Sequence, residues 1–203
     1  NGDLGKLTTE QREFIEKTFN SNERMIDLVN DLLDVSRIEE GMLEYKFDKF
    51  NIAELLQDIL NEYRVLTANK KLSIQTNFDL DENRAILIIG DQEKLRLAFG
   101  NLIDNAIKFT PKKGQITITL KKGDTEVYVA VSDTGIGMSK EELKRLFTKF
   151  FRSEGAQRME AKGTGLGLFI AHNIIEKHKG EIRVTSKPGQ GTTFTCVLPL
   201  KNE

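Results

Sequence analysis

Cysteine, tryptophan and proline are scarce in this chain of 203 residues, which has one cysteine, no tryptophan and three prolines. A single cysteine excludes an internal disulfide framework and fits a reducing compartment, and the alternating pattern around Cys196 predicts a buried structural thiol. No stretch approaches the ~18 to 20 apolar residues of a membrane span, and the first residues lack a signal-peptide pattern. We therefore expect a soluble, cytoplasmic segment, and membrane anchoring of a longer parent protein is left open.

The chain also has no large excess of charge of either sign, since it contains 30 lysines and arginines and 31 aspartates and glutamates. This balance does not indicate a nucleic-acid surface or an anionic-membrane footprint, so we expect protein and small-molecule partners. The length is enough for one full-sized globular domain with an extension.

A predicted helix over residues 94–111 has two chemically different sides. Its core side is a stripe of apolar residues spaced by three and four, namely Leu95, Phe99, Leu102, Ala106 and Phe109. Asn101, Asn105 and Lys108 share another side, although amides are mildly unfavourable within helices. An amide oxygen is a hard ligand for Mg²⁺, and an ammonium group neutralises phosphate. The pattern therefore fits a polyphosphate with its metal, and a solvated helix face is the alternative.

Two glycine-containing motifs follow this helix. Asp133 ends a predicted strand before Gly135 and Gly137, and its carboxylate either points at a ligand or caps the next turn. Residues 163–168, GTGLGL, open a helix, where backbone N–H groups and the positive helix dipole suit phosphate oxygens. A ligand-free hinge has the same composition. The motif fits neither a Walker loop nor a Rossmann unit, because it lacks the GK[ST] element of the first and the strand and acidic residue of the second.

Three phenylalanines, Phe147, Phe150 and Phe151, precede a stretch without core periodicity over residues 155–163. Exposed on a bare surface they would be hard to explain, so we predict that they pack as the hinge of a mobile lid. Arg152 either reaches a terminal phosphate with its guanidinium group or is a plain surface arginine. Phe109 either packs beside a base or fills the core.

These motifs, in the order NLIDNAIKFTP (101–111), DTGIG (133–137), FTKFFR (147–152) and GTGLGL (163–168), resemble the nucleotide-binding domain of sensor histidine kinases. That domain belongs to the Bergerat-fold ATPase group, which also holds gyrase and MutL. The resemblance covers nearly the whole chain and implies that Asp133 accepts a hydrogen bond from the adenine amine, which would select ATP over GTP. It implies Mg²⁺ ligands at Asn105 and Asn101, and an ATP site made of Asn101, Asn105, Lys108, Phe109, Asp133, Gly135, Gly137, Arg152, Gly163, Thr164, Gly165, Leu166, Gly167, Leu168 and Thr192.

The N-terminal part predicts a long helix that starts at a capping box, Thr8 to Gln11, and reaches about Glu40. The spacing of Ile15, Phe19, Asn22, Ile26, Val29, Leu33 and Ser36 is that of a bundle seam. We favour a bundle over a helix that lies on its own domain. The resemblance implies the second helix of a dimerisation hairpin, with residues 2–5 as its loop, and therefore a homodimer and a response-regulator partner. The expected domains are 1–43, a partial hairpin, and 44–203, the catalytic ATP-binding domain.

The remaining pattern predicts a helix over residues 52–68, strands near 72–78 and 85–89, a hairpin over 116–131, a short helix from Ser139, a helix over 166–179 stopped by Gly180, and two last strands. This order predicts an α/β (α+β) fold, a two-layer sandwich with a mixed sheet and helices on one face.

The two histidines, His172 and His178, lack the acidic-Arg-x-Pro context of the family's phosphoacceptor, so both are expected to be structural or surface residues. For His178, in a last helical turn, the expected role is a cation near the helix dipole. The chain would then transfer the ATP γ-phosphoryl group to a histidine on an absent helix and hold no catalytic residue of its own. The alternatives are a gyrase-like ATPase switch and a serine kinase of the same fold. In the ATPases a glutamate four residues before the magnesium asparagine activates water, and Asn101 at that position cannot act as a general base.

Overall fold

The computed structural model describes residue 5 and residues 7–79, 85–159 and 163–200. Helix α1 spans Thr9–Glu39 and begins with the predicted capping box, because the Thr8 hydroxyl accepts from the Gln11 N–H group and the Gln11 side chain accepts from that of Thr8. The hairpin loop expected at residues 2–5 lies mostly outside the described residues.

The seam predicted on α1 is exposed in this single chain, with half or more of Ile15, Phe19, Val29 and Leu33 accessible to solvent. The last turns of the helix behave differently. Val35 is buried, and Ile38 packs against the main core. The two interpretations of α1 therefore apply to different parts of it: the seam is free for a partner helix, and the C-terminal end lies on the chain's own domain.

A connector over residues 40–47 follows α1 and leads into a small two-stranded antiparallel sheet, formed by β1 (Asp48–Asn51) and β3 (Leu87–Gly90). The prediction of a single helix over residues 52–68 is wrong. The structure has two helices between β1 and β3, namely α2 (Ile52–Glu62) and α3 (Arg64–Lys70). The break falls at Tyr63, whose hydroxyl donates to the Gly100 carbonyl oxygen. Leu66 on α3 is 53% exposed because the apolar spacing of α2 does not continue in register across this break.

Within the described part of the chain, the main sheet has five strands in the order β2-β4-β5-β7-β6. Its strands are β2 (Ser73–Phe78), β4 (Gln115–Lys122), β5 (Glu126–Asp133), β6 (Glu181–Lys187) and β7 (Gly191–Pro199). β2 and β4 are parallel and the other pairs are antiparallel, so the sheet is mixed as predicted. Along β4 and β5 buried residues alternate with half-buried ones, because one face of the sheet is covered by the helices.

The central helix, α4 (Gln92–Phe109), begins at Asp91, whose carboxylate accepts from the Lys94 N–H group. Its predicted stripe is fully buried from Leu95 to Ala106 and ends at a half-buried Phe109. It packs against α7 (Gly167–Lys177) and α2, and together with the sheet these helices enclose the core. Cys196 is a free, fully buried thiol, and burial raises its pKa to about 12.

Two local expectations need correction. Residues 155–163 are not a wholly irregular loop, because α6 (Glu154–Met159) occupies much of this stretch; residues 160–162 lie outside the described part. The N-terminal turn of α6 is capped by the Ser153 hydroxyl, which accepts from the Ala156 N–H group.

Gly180 is also not the left-handed residue that stops α7. Lys179 has that conformation (φ 58°), and Gly180 instead permits close approach to β7, since a Cβ there would lie 2.4 Å from the Val197 oxygen.

Candidate functional site

A cavity of about 890 Å³ lies among α4, the end of β5, the segment after α5 (Lys140–Leu143), the glycine-rich loop (residues 163–168) and α1. This volume is in the range of small-molecule sites. The residues predicted from sequence that line it are Asn101, Asn105, Lys108, Phe109, Asp133, Gly137, Arg152, Gly163, Thr164, Gly165, Gly167, Leu168 and Thr192. The fold thus brings together residues from five separate parts of the sequence.

Two predicted residues do not line the cavity. Gly135 belongs to the turn after β5, where its N–H group donates to Asp133 and a Cβ would lie 2.6 Å from the Phe109 carbonyl oxygen. Leu166 is fully buried in the core and immediately precedes α7. Both residues shape the backbone around the cavity rather than its surface, which sequence spacing alone does not distinguish from contact with a ligand.

Asp133 ends β5 as a buried carboxylate at the cavity wall. Its Oδ1 accepts from the Gly135 N–H group at 2.7 Å and from the Thr192 N–H group at 3.3 Å. Burial raises the pKa of Asp133, and these two hydrogen bonds oppose the rise. The side chain thus caps the turn and lines the cavity at once, so the two roles left open by the sequence are compatible. Gly137 in the same loop has φ 63°, which disfavours any side chain there.

On α4, the polar side chains occupy the cavity-facing positions that the pattern predicts. Asn101, Asn105 and Lys108 are each half-buried, and the Lys108 ammonium pairs with Asp104 at 2.6 Å. The Asn101 Nδ2 atom is buried with no hydrogen-bond acceptor among the described residues. A buried donor without a partner is costly, so it marks a place where an acceptor atom of a ligand would be stabilised.

The glycine-rich loop lies directly against this face of α4. A Cβ on Gly167 would come within 2.9 Å of the Asn101 Oδ1 atom, so a side chain there would displace the amide. Gly165 has φ 73° and its carbonyl oxygen accepts from the Phe150 N–H group. The loop is thereby joined to the aromatic segment before it, and it leads into the N-terminus of α7, which favours anions.

The aromatic segment is only partly packed. The Phe147 ring lies 4.5 Å from the His172 ring, and the Arg145 guanidinium lies 5.1 Å from the centre of the Phe151 ring. Phe150 remains 58% exposed with φ 61°, so the expectation that all three phenylalanines pack is wrong for this one. Arg152 lines the cavity, and its Nη2 atom donates to the Ala156 carbonyl oxygen at 3.4 Å.

Four carboxylates that were not predicted from the sequence also line the cavity: Asp104 on α4, and Asp27, Asp31 and Asp34 on α1. Asp104 could have been found, because it stands four residues before Lys108 at the spacing of a helical ion pair. The α1 aspartates have no local indication of this role, since it depends on how the end of α1 packs.

The two histidines differ in burial. His178 is buried, and since a backbone N–H group can only donate, its Nε2 atom accepts from Asp91 at 2.9 Å while Nδ1–H donates to the Ile174 oxygen at 2.7 Å. His178 is therefore a structural residue, as expected, but burial lowers its pKa, so the expectation of a cation at the helix end is wrong. His172 is half-buried beside Glu176 and Phe147.

Among the described residues no group of three or more histidine, cysteine or acidic side chains could hold a metal ion. On α4, the oxygen donors that line the cavity are the amide oxygens of Asn101 and Asn105 and the neighbouring carboxylate of Asp104. Hard oxygen donors of this kind fit Mg²⁺, which keeps several water ligands, rather than a zinc-type site. No described helix is long and apolar enough to cross a membrane.

Comparison with known proteins gives two family matches along the chain. Residues 90–202 match the family of histidine kinase-, DNA gyrase B- and HSP90-like ATPases, and residues 2–41 match the His Kinase A (phospho-acceptor) domain. The first match contains α4 and all three downstream motifs. The second covers the whole of α1.

Individual relatives agree with these matches. The circadian input-output histidine kinase CikA of Synechococcus elongatus is 35% identical over 97% of this chain, and the chain spans 26% of that protein. The structure of full-length ShkA in complex with AMPPNP has a TM-score of 0.79 at 27% identity, over 98% of this chain and 40% of the other. The histidine kinase ThkA in complex with the response regulator protein TrrA has a TM-score of 0.74 at 24% identity, over 97% and 53%, and shows the shared fold.

Proposed function

Because the chain belongs to the histidine kinase-, DNA gyrase B- and HSP90-like ATPases, and among them to the sensor histidine kinases, we propose that it is the ATP-binding catalytic portion of such a kinase. In this proposal it binds ATP with Mg²⁺ and transfers the γ-phosphoryl group to a histidine outside this sequence, for relay to an aspartate of a response regulator. The observation that carries the proposal is one cavity lined by the Asp133 carboxylate, the amide and ammonium groups of α4, and the glycine-rich loop.

Adenine recognition is assigned to Asp133 with Gly137, Thr192 and Phe109. Both described hydrogen bonds to the Asp133 carboxylate reach Oδ1, and we assign Oδ2 as the acceptor for the adenine exocyclic amine. A guanine carbonyl would face a carboxylate oxygen unfavourably, which selects ATP over GTP. The fixed turn geometry supports this role because it pre-orients the carboxylate.

Phosphate binding is assigned to Lys108, Arg152 and the loop residues 163–168. Lysine and arginine neutralise phosphate oxygens, and the loop offers backbone N–H groups at the N-terminus of α7. Asn105, with Asn101 beside it, would hold the Mg²⁺ ion, which neutralises charge on the phosphates when bound. Lys108 would exchange its partner Asp104 for phosphate, and both groups already line the cavity.

The acceptor is assigned to another segment because the chain's own histidines are unsuited. Residues 2–41, which match the phospho-acceptor domain, contain no histidine. His178 is buried with both ring nitrogens hydrogen-bonded. The exposed seam of α1 supports a helical partner that carries the acceptor, and in a full-length protein a homodimer through the same hairpin.

Transfer rather than hydrolysis is supported by Asn101, whose amide cannot remove a proton from water. In transfer, the acceptor imidazole nitrogen forms a bond to the γ-phosphorus as the bond to the ADP oxygen breaks.

The test is to incubate the chain with Mg²⁺ and γ-labelled ATP, alone and with a separate polypeptide carrying a histidine-bearing first hairpin helix. We expect acid-labile label on the added helix, none on the chain itself, and slow phosphate release. A version of the added helix with histidine replaced by glutamine is the control. Acid-labile label on His172 or His178, or rapid phosphate release without the helix, would contradict the proposal.

A further inference from the structure

A hydrogen bond joins the bundle helix to the glycine-rich loop. The Thr164 hydroxyl donates to the Asp31 Oδ2 atom at 2.6 Å, across 133 positions of sequence. A hydroxyl has one proton to donate, and the Thr164 oxygen also accepts from the Leu166 N–H group at 3.2 Å. While the Thr164 hydroxyl donates to Asp31, it cannot donate to a phosphate oxygen.

The same face of α1 makes two further contacts with the catalytic domain. Val35, four residues after Asp31, is 5% exposed in the core, and Glu39, four residues later, forms an ion pair with Lys149. Residues spaced by four lie on one side of a helix. This side, made of Asp31, Val35 and Glu39, is therefore a docking face distinct from the exposed seam of Ile15, Phe19, Val29 and Leu33.

The docking face also brings negative charge into the cavity. Asp27, Asp31 and Asp34 all line it, and carboxylates in a partly buried site repel a polyphosphate. Burial raises the pKa of Asp31, and the neighbouring charges of Asp27 and Asp34 raise it further. The hydrogen bond from Thr164 opposes this rise. The carboxylate is thus held in an unfavourable environment that the Thr164 hydroxyl partly compensates.

We propose that Asp31 is a built-in competitor for the nucleotide: it occupies the Thr164 hydroxyl when α1 is docked, so that docking of α1 and full engagement of the phosphates oppose each other. This rests on the function proposed for the cavity and adds its regulation. A partner that pulls α1 away would raise nucleotide affinity, and bound nucleotide would by linkage weaken docking by the same factor. The apparent dissociation constant scales inversely with the undocked fraction.

Calorimetry with Mg²⁺ and a non-hydrolysable ATP analogue tests the competition. Asp31→Ala should bind about tenfold more tightly than wild type, the effect of a hydrogen bond to a charged acceptor. Glu23→Ala, which removes an exposed carboxylate of α1 outside the cavity, is the charge-matched control and should not change the affinity. In a Thr164→Val background, Asp31→Ala should lose most of its effect, because the shared hydrogen bond is already absent.

A distance measurement follows docking directly. Labels on Met25→Cys in α1 and Lys121→Cys in β4 suit this use because both positions are exposed and Cys196 is buried. Nucleotide should broaden or lengthen the label distance in wild type, and Asp31→Ala should show that change without nucleotide. Equal or weaker binding by Asp31→Ala, or an unchanged distance, would overturn this inference while leaving the proposed function intact. Failure of wild type to bind the analogue at all would instead refute the proposed function.

Discussion

Acidification is expected to destabilise this fold through His178. Its neutral ring packs against the connector (residues 40–47) between α1 and the catalytic domain. The ring accepts the Asp91 N–H bond and lies 5.0 Å from the Phe47 ring and 5.8 Å from the Tyr45 ring. The Asp91 carboxylate in turn accepts from the Lys46 N–H group at 2.8 Å. A proton on Nε2 would abolish the acceptor and place a charge among buried groups, with Asp91 as the nearby carboxylate.

The direction of this pH dependence follows from the pKa of His178, which burial lowers below its unfolded value of about 6.5. Between the two pKa values the unfolded chain binds more protons than the folded one, so the stability present above about pH 6.5 is lost as the pH falls to the folded pKa. The slope for one proton is about 1.4 kcal/mol of unfolding free energy per pH unit. Other titrating groups are shared by the variants and cancel in the difference.

The assay is urea unfolding from pH 7.5 to pH 5 for two variants. His178→Gln keeps an oxygen that can accept from Asp91 and removes the titration, so its stability should fall less steeply with acidification. His178→Phe keeps a ring but leaves the Asp91 N–H group unpaired, which should cost about 1–3 kcal/mol at pH 7.5. His172→Gln, at a half-buried position, is the control. Parallel pH curves for wild type and His178→Gln would refute the reasoning.

Three further outcomes test the site. Asn105→Ala should weaken Mg²⁺-dependent ATP binding, expected to be millimolar or better in wild type, by ~100-fold in calorimetry, because a metal-bridging contact is lost; equal affinity would remove Asn105 from the metal site. Asp133→Asn should reduce the preference for ATP over GTP, since an amide can donate to the guanine carbonyl; an unchanged ratio of dissociation constants would exclude Asp133 from base recognition. Amide exchange in α6 should slow when an ATP analogue binds, with β4 as the internal reference, and no change would count against a lid.

Local patterns in the sequence were sufficient for much of this molecule. Spacing by three and four predicted the buried stripe of α4, alternation predicted the hairpin of β4 and β5, and the helix starts predicted at Thr8 and Ser139 are correct. These features depend on neighbours within one or two turns, so the chain itself records them. Most of the site residues predicted from the ordered motifs line the cavity, although other residues that line it, such as those of α1, were not predicted.

Tertiary packing decided the features that local patterns leave undetermined. The helix predicted over residues 52–68 is divided at Tyr63, whose hydroxyl donates to Gly100 on another helix, and His178 is neutral because the fold buries it against Asp91. The Asp31 carboxylate is an ordinary charged residue of a long helix until the end of α1 docks and places it on Thr164. Periodicity tells which side of a helix is apolar, but the partner of a polar side chain far away in sequence is chosen only when the two surfaces meet.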